Sequence, residues 1–123
     1  MKRVVGIGGI FIKAKNPDAL RAWYQRHLGI DIQVWGGATF PWYKPEGVTV
    51  WNVFPESSEY FAPSKAAFMV NYVVEDLDAV LAVLRSENCA VDLKIEESEF
   101  GKFGWVMDPE GNRVELWQPP NRH

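Results

Sequence analysis

The apolar positions along this chain follow first a strand period and then a helix period, and the same order is used twice. From Val4 to Ala14 the run is mostly apolar and holds β-branched residues, which predicts a buried strand. Asn16, Pro17 and Asp18 then supply a helix N-cap, a proline at the first helical position and an acid in the first turn. Leu20, Trp23, Tyr24, His27 and Leu28 recur at helical spacing, and Gly29 suits the left-handed residue that ends such a helix. Further on, Phe68 to Val74 predicts a second strand and Asp76 a second N-cap. Leu77, Val80, Leu81 and Leu84 form the stripe, and Asn88 can close it.

Each helix is followed by material suited to three strands. In the first half these are 30–35, 38–43 and 48–54; in the second, 90–95, 102–107 and 113–117. Pro41 cannot donate to a ladder, so its strand belongs at a sheet edge. The order strand, helix, three strands, used twice, predicts an α+β fold of two βαβββ modules. They span about 1–63 and 64–123 of a single domain. Gly6, Gly8 and Gly9 have no cap and helix directly behind them, so they are no dinucleotide fingerprint. They allow a bulge or close backbone approach between modules.

The end of the chain is the most specific stretch. Asp108-Pro109-Glu110-Gly111-Asn112 reads as a tight turn in which Asp108 bonds its own downstream backbone. After it, Val114, Leu116 and Gln118 face one side of a short strand, and Arg113, Glu115 and Trp117 the other. A carboxylate next to a Trp on one face is out of place on an ordinary outer surface and useful inside a cupped sheet.

Charge and composition narrow the partners. The net charge is −3 without a basic cluster, which argues against nucleic acid. The single Cys89 can form no internal disulfide and suits a reducing compartment, and no base stands beside it to make it a nucleophile. No stretch has the apolar length of a membrane span or a secretory leader, so a cytoplasmic protein is expected. Trp is in excess, with 6 in 123 residues. Trp35, Phe40, Trp42, Tyr43, Trp51, Phe54, Tyr60 and Phe61 crowd one segment and suit a pocket for a planar or cationic ligand, or an aromatic core with a dimer seam. The acidic run at 95–99 reads as a solvated loop.

With the phrase NPDALRAWYQRHLGI from Asn16 to Ile30 and DPEGNRVELWQP from Asp108 to Pro119, the whole chain resembles the vicinal oxygen chelate superfamily. That superfamily comprises glyoxalase I, bleomycin-resistance proteins, extradiol dioxygenases and fosfomycin-resistance enzymes. The resemblance implies that the modules form curved mixed sheets around a cup, often with partners exchanged in a homodimer. It also implies metal ligands on the first and last strands of each module in the metal-using members. The first-strand ligand lies seven residues before the helix cap, which gives Gly9 and Met69 here. The last-strand position falls at Trp51 when Val50-Trp51 is matched to Val114-Glu115, leaving Glu115 as the one carboxylate. One carboxylate with three blanks does not hold a divalent ion tightly. His27, in the last turn of its helix, and the terminal His123 are read as structural or incidental.

Two function classes follow. One is a metal-free binding module, like the bleomycin-resistance branch, that holds a small, partly aromatic ligand. The other is a lyase- or dioxygenase-type enzyme with a degenerate or relocated site, in which Glu115 moves a proton, with a divalent metal on Glu115 as its alternative cofactor. A structural or regulatory dimer without a ligand stands behind both. The expected ligand-binding residues are Trp35, Trp42, Trp51, Phe54, Met69, Tyr72, Trp105 and Glu115, and Glu115 is the catalytic candidate. Trp51 and Glu115 are expected at equivalent places, both pointing into the cup.

Overall fold

The computed structural model describes residues 3–42 and 46–120, so Tyr43, His123 and the side chain of Leu28 lie outside the described residues. In chain order the elements are β1 (Val4–Ala14), α1 (Pro17–Leu28), β2 (Gly37–Trp42), β3 (Gly47–Pro55) and β4 (Phe68–Val74). The second half continues with α2 (Leu77–Ser86), β5 (Ala90–Val91), β6 (Glu96–Ser98), β7 (Gly101–Met107) and β8 (Arg113–Gln118). The strands form one mixed, curved sheet in the order β2-β3-β1-β4-β8-β7-β5, with β6 also paired to β7. The fold is α+β. Each half places its first strand parallel to its last, β1 with β3 and β4 with β8, and an antiparallel β1–β4 pair joins the halves within one chain.

Local chemistry sets these elements as expected. Asn16 Oδ1 accepts from the Ala19 N–H and Asp76 Oδ1 from the Ala79 N–H, each at 3.1 Å, so both helices start at their caps. Gly29 ends α1 at φ 67°, and Asn88 takes φ 63° beyond α2. Pro41 does sit on the edge strand β2.

Two of the six anticipated strands are absent or broken. Residues 30–35 form no strand: the Gln33 N–H bonds Gly37 O at 2.8 Å and folds the segment into a turn that leaves Val34 fully exposed. The 90–95 strand shrinks to β5, because Asp92 Oδ1 accepts from the Lys94 N–H at 2.9 Å and turns the chain. Pairing resumes at Glu96–Ser98, so part of the run read as a loop is a short, mostly exposed strand against β7.

Both helices pack on one face of the sheet. Leu77, Val80 and Leu81 of α2 bury against Val74 and Leu116, with Tyr72, Val106 and Val114 at the margin. On the first half, Tyr24 of α1 lies against Trp51 of β3 with ring centroids 5.0 Å apart, and Arg21 Nη2 donates to Val53 O at 2.7 Å. The opposite, concave face holds a second core of Phe11, Phe61, Met69 and Trp105. Phe61 comes from the β3–β4 connection, 56–67, which lies over that face.

Candidate functional site

Glu115 on β8 is the centre of the concave face and is 1% exposed. Its Oε1 accepts from the Tyr60 hydroxyl and from Trp105 Nε1–H at 3.1 Å, and its Oε2 accepts from Asn71 Nδ2–H at 2.7 Å. The strand register builds this cluster. Asn71 and Glu115 are partners across the parallel β4–β8 pair, and Trp105 is the partner of Glu115 across the antiparallel β7–β8 pair. Tyr60 arrives from the connection above. Burial pushes the Glu115 carboxyl up from its ordinary range, opposed by the three hydrogen bonds and the positive charge of Arg113. The Tyr60 phenol is also raised, first by burial and then by the neighbouring Glu115 charge.

Aromatic rings enclose the acid. Tyr60 stacks on Phe54 with centroids 5.5 Å apart and an interplanar angle of 10°, and meets Trp105 edge-on at 6.2 Å. Phe54 also touches Phe11 and Phe61. Cations stand outside this ring: the Arg113 guanidinium is 4.7 Å from the Trp105 ring centroid and Lys94 Nζ 5.8 Å. Arg113 Nη1 holds the covering segment by donating to Tyr60 O at 3.2 Å and Ala62 O at 2.6 Å. Beyond Trp105, Pro63, Ala90, Asp92, Met107 and Arg113 line an open depression of about 250 Å³.

The structure brings together four of the residues expected from sequence: Phe54, Met69, Trp105 and Glu115. It separates the other four. Tyr72 faces α2, and Trp51 faces α1. Trp42 lies over Gly6 and Gly47, where added Cβ atoms would collide with its ring, and its indole N–H donates to Thr49 Oγ1 at 2.6 Å. Trp35 stands in a surface turn, 49% exposed. Sequence reasoning left out Phe11 and Asn71, and it named Tyr60 and Phe61 only among the crowded aromatics. Asn71 carried a findable signal, because it lies five residues before the Asp76 cap on a strand face shared with Met69.

The match of Trp51 to Glu115 is off by one residue. Five before Asn16 is Phe11, and its partner on β3 is Asn52; five before Asp76 is Asn71, and its partner on β8 is Glu115. Asn52 is therefore the counterpart of Glu115, and Trp51 points to the opposite side of the sheet. The expectation that Trp51 would point into the cup fails with it. Met69, Phe11 and Phe61 fill that space instead.

The same register tests the fold's metal positions. Gly9 offers no side-chain donor, Met69 a soft thioether, and the Asn52 amide oxygen already accepts from the Val53 N–H at 2.9 Å. Both Glu115 oxygens are taken by N–H and O–H donors. Asn71 Oδ1 is buried without a partner, but it lies against Gly8, where a β-bulge in β1 leaves no room for a Cβ. This donor set does not fit a divalent ion. Among the described residues no three His, Cys, Asp or Glu side chains converge as a metal cluster.

No family model matches the chain, and no curated protein matches it. Solved structures do. A methylmalonyl-CoA epimerase from Streptomyces coelicolor, in complex with 2-nitronate-propionyl-CoA, is 16% identical, with 92% of this chain and 96% of that one covered at a TM-score of 0.69. The methylmalonyl-CoA epimerase from Mycobacterium tuberculosis is 19% identical over 98% of this chain and 92% of that one, at 0.65. A glyoxalase/bleomycin resistance protein/dioxygenase superfamily member from Vibrio splendidus 12B01 is 9% identical over 89% and 95%, at 0.60. At such identities the likeness speaks for architecture and not for chemistry. The chain has the glyoxalase/bleomycin-resistance-like fold that the phrases at Asn16–Ile30 and Asp108–Pro119 implied.

Proposed function

We propose that this protein binds a small, partly aromatic molecule in the concave face of its sheet, with Glu115 accepting from the polar end of the ligand and no metal taking part. One observation carries the reading: a carboxylate 1% exposed, ringed by Phe11, Phe54, Tyr60, Phe61, Met69 and Trp105. A buried acid is costly to keep, and a plain core would replace it with an apolar residue. Its cover is a connecting segment and not a strand or helix, so access to it requires no strand to unpair. Thermal-shift measurements against a panel of small aromatic alcohols, amines and acids, with and without chelator, test the reading, because a ligand of the folded state raises the midpoint. Absence of any stabilising compound at millimolar concentration sinks it.

A second reading is a lyase- or dioxygenase-type activity with Glu115 as acid or base. The raised Glu115 carboxyl favours it, since a proton donor at neutral pH needs that shift. Turnover of a bound compound that Glu115→Gln abolishes would select this reading over simple binding.

The same reading includes a homodimer in a reducing, cytoplasmic setting. Val4, Ile7 and Phe68 remain 38%, 39% and 50% exposed on the helical face of β1 and β4, and Trp23 of α1 is 50% exposed. A second copy is the simplest cover for such a strip. No described helix is long and apolar enough to cross a membrane, and the lone Cys89 is a free, exposed thiol.

A further inference from the structure

The cup already holds one aromatic group, supplied by the chain itself. The Tyr60 ring lies parallel to Phe54 and edge-on to Trp105, and its hydroxyl donates to Glu115 Oε1. Trp105 and Asn71 hold the carboxylate from fixed strands, so Tyr60 is the one donor that can leave without unpairing the sheet. We propose that the place filled by Tyr60 is a phenol subsite, and that the ligand of the cup is a small phenol which enters by displacing that side chain. This inference rests on the ligand-binding reading above.

The chemistry of the subsite selects among aromatic ligands. Its walls are flat and apolar and its end is a hydrogen-bond acceptor, so a hydrocarbon ring would leave Glu115 one donor short. An aromatic carboxylate would set a second negative charge against Glu115. An aromatic ammonium would donate, but it would have to shed its hydration inside an apolar ring of side chains. The cation positions at the Trp105 ring are already held by Arg113 and Lys94, paired with Asp92 and Glu96. A neutral ring hydroxyl meets every demand, which is why a tyrosine fills the place. Of the planar and cationic ligands that the aromatic segment suits, the subsite therefore selects the planar one.

The covering segment is attached by more than Tyr60. Arg113 holds its backbone at Tyr60 O and Ala62 O, and Phe61 is fully buried beneath it. Removing the Tyr60 side chain therefore leaves a ring-sized hole under an anchored segment.

The test compares p-cresol, toluene and benzylamine on the wild-type protein, Tyr60→Ala and Tyr60→Phe by calorimetry and thermal shift. Tyr60→Ala should bind p-cresol about tenfold more tightly than toluene or benzylamine, and more tightly than the wild type does, because the hole is open and only the phenol restores the donor. Tyr60→Phe should fall between, since its ring still competes but no longer bonds Glu115. If toluene or benzylamine binds Tyr60→Ala as well as p-cresol, the phenol subsite is wrong while the aromatic cup stands. If none of the three binds, both proposals fail. Should Tyr60→Ala lack a cooperative unfolding transition, Tyr60→Phe decides: p-cresol must raise its midpoint more than that of the wild type, and an equal or smaller rise overturns the subsite.

Discussion

Asn71 and Glu115 are partners on neighbouring parallel strands, and the Asn71 amide donates to Glu115 Oε2 at 2.7 Å. The equivalent pair of the first half is Phe11 and Asn52, and it makes no such bond. The duplication thus preserves backbone register while the two halves have diverged in chemistry. The strand residues of the polar centre, Asn71, Trp105 and Glu115, all lie in the second half, and Tyr60 joins them from the connection between β3 and β4.

Glu115→Gln should leave the fold intact. A Gln oxygen can still accept from Tyr60 and Trp105, and its amide would face Asn71. Asn71 can turn its unpaired Oδ1 toward that amide, exchanging one orphaned atom for another. Circular dichroism should be unchanged, and ligand binding should weaken about tenfold or more where the ligand donates to the charged carboxylate. Unaltered affinity would remove Glu115 from the binding site.

The raised Glu115 carboxyl has a consequence for stability. Between its ordinary value of 4.5 and its raised value in the fold, the folded state binds more protons than the unfolded one. Stability contributed by this group is therefore full below that window and is lost as pH rises through it. Denaturant titrations across the window should show this falling contribution in the wild type and its absence in Glu115→Gln. A contribution that instead grows with pH would place the folded carboxyl below its ordinary range.

Much of the architecture was legible from local signals. Asn16, Asp76 and Gly29 act within a few residues of themselves, so caps and helix ends follow directly from sequence. The turn at Asp108 is equally local: Asp108 Oδ1 accepts from the Glu110 and Asn112 N–H groups, both at 2.9 Å, and Gly111 takes φ 82°. The concave site was less legible. A strand shows its period but not its register, and a slip of one residue exchanges the faces. That slip moved the equivalence from Asn52 to Trp51. Tyr60 was hidden for another reason, since nothing in a turn-rich connection says which way it folds back.

Trp51→Ala and Trp105→Ala should separate cleanly. Trp105 is 1% exposed and bonds Glu115, so its removal should cost roughly 3–5 kcal/mol and disturb ligand binding. Trp51 is half-buried against Tyr24 on the other face. Its removal should cost less and leave binding unchanged. Loss of binding in Trp51→Ala without loss of stability would restore Trp51 to the site.

The apolar strip on the helical face carries the dimer prediction. Ile7 pairs with Tyr72 and Ile12 with Phe68 across the β1–β4 seam, so the strip runs between the two helices. A stable interface needs about 800 Å² from each partner with an apolar centre. Sedimentation at micromolar concentration should give a dimer, and Phe68→Glu a folded monomer. A wild-type monomer at that concentration refutes the dimer.

Metal content offers the last discrimination. A divalent ion bound through Glu115 would have to displace the Tyr60, Trp105 and Asn71 donors, and would gain no charged or imidazole ligand from Gly9, Asn52 or Met69 in return. Each displaced group would be left buried and unpaired, at about 1–3 kcal/mol apiece. Protein purified without added metal should therefore contain no stoichiometric ion, and chelator should not lower its unfolding midpoint, because an ion held by the folded state alone would raise it. Stoichiometric zinc, nickel, iron or manganese that is lost in Glu115→Gln would show that the three donors give way, and would move the reading from a binding module to a metal-dependent enzyme.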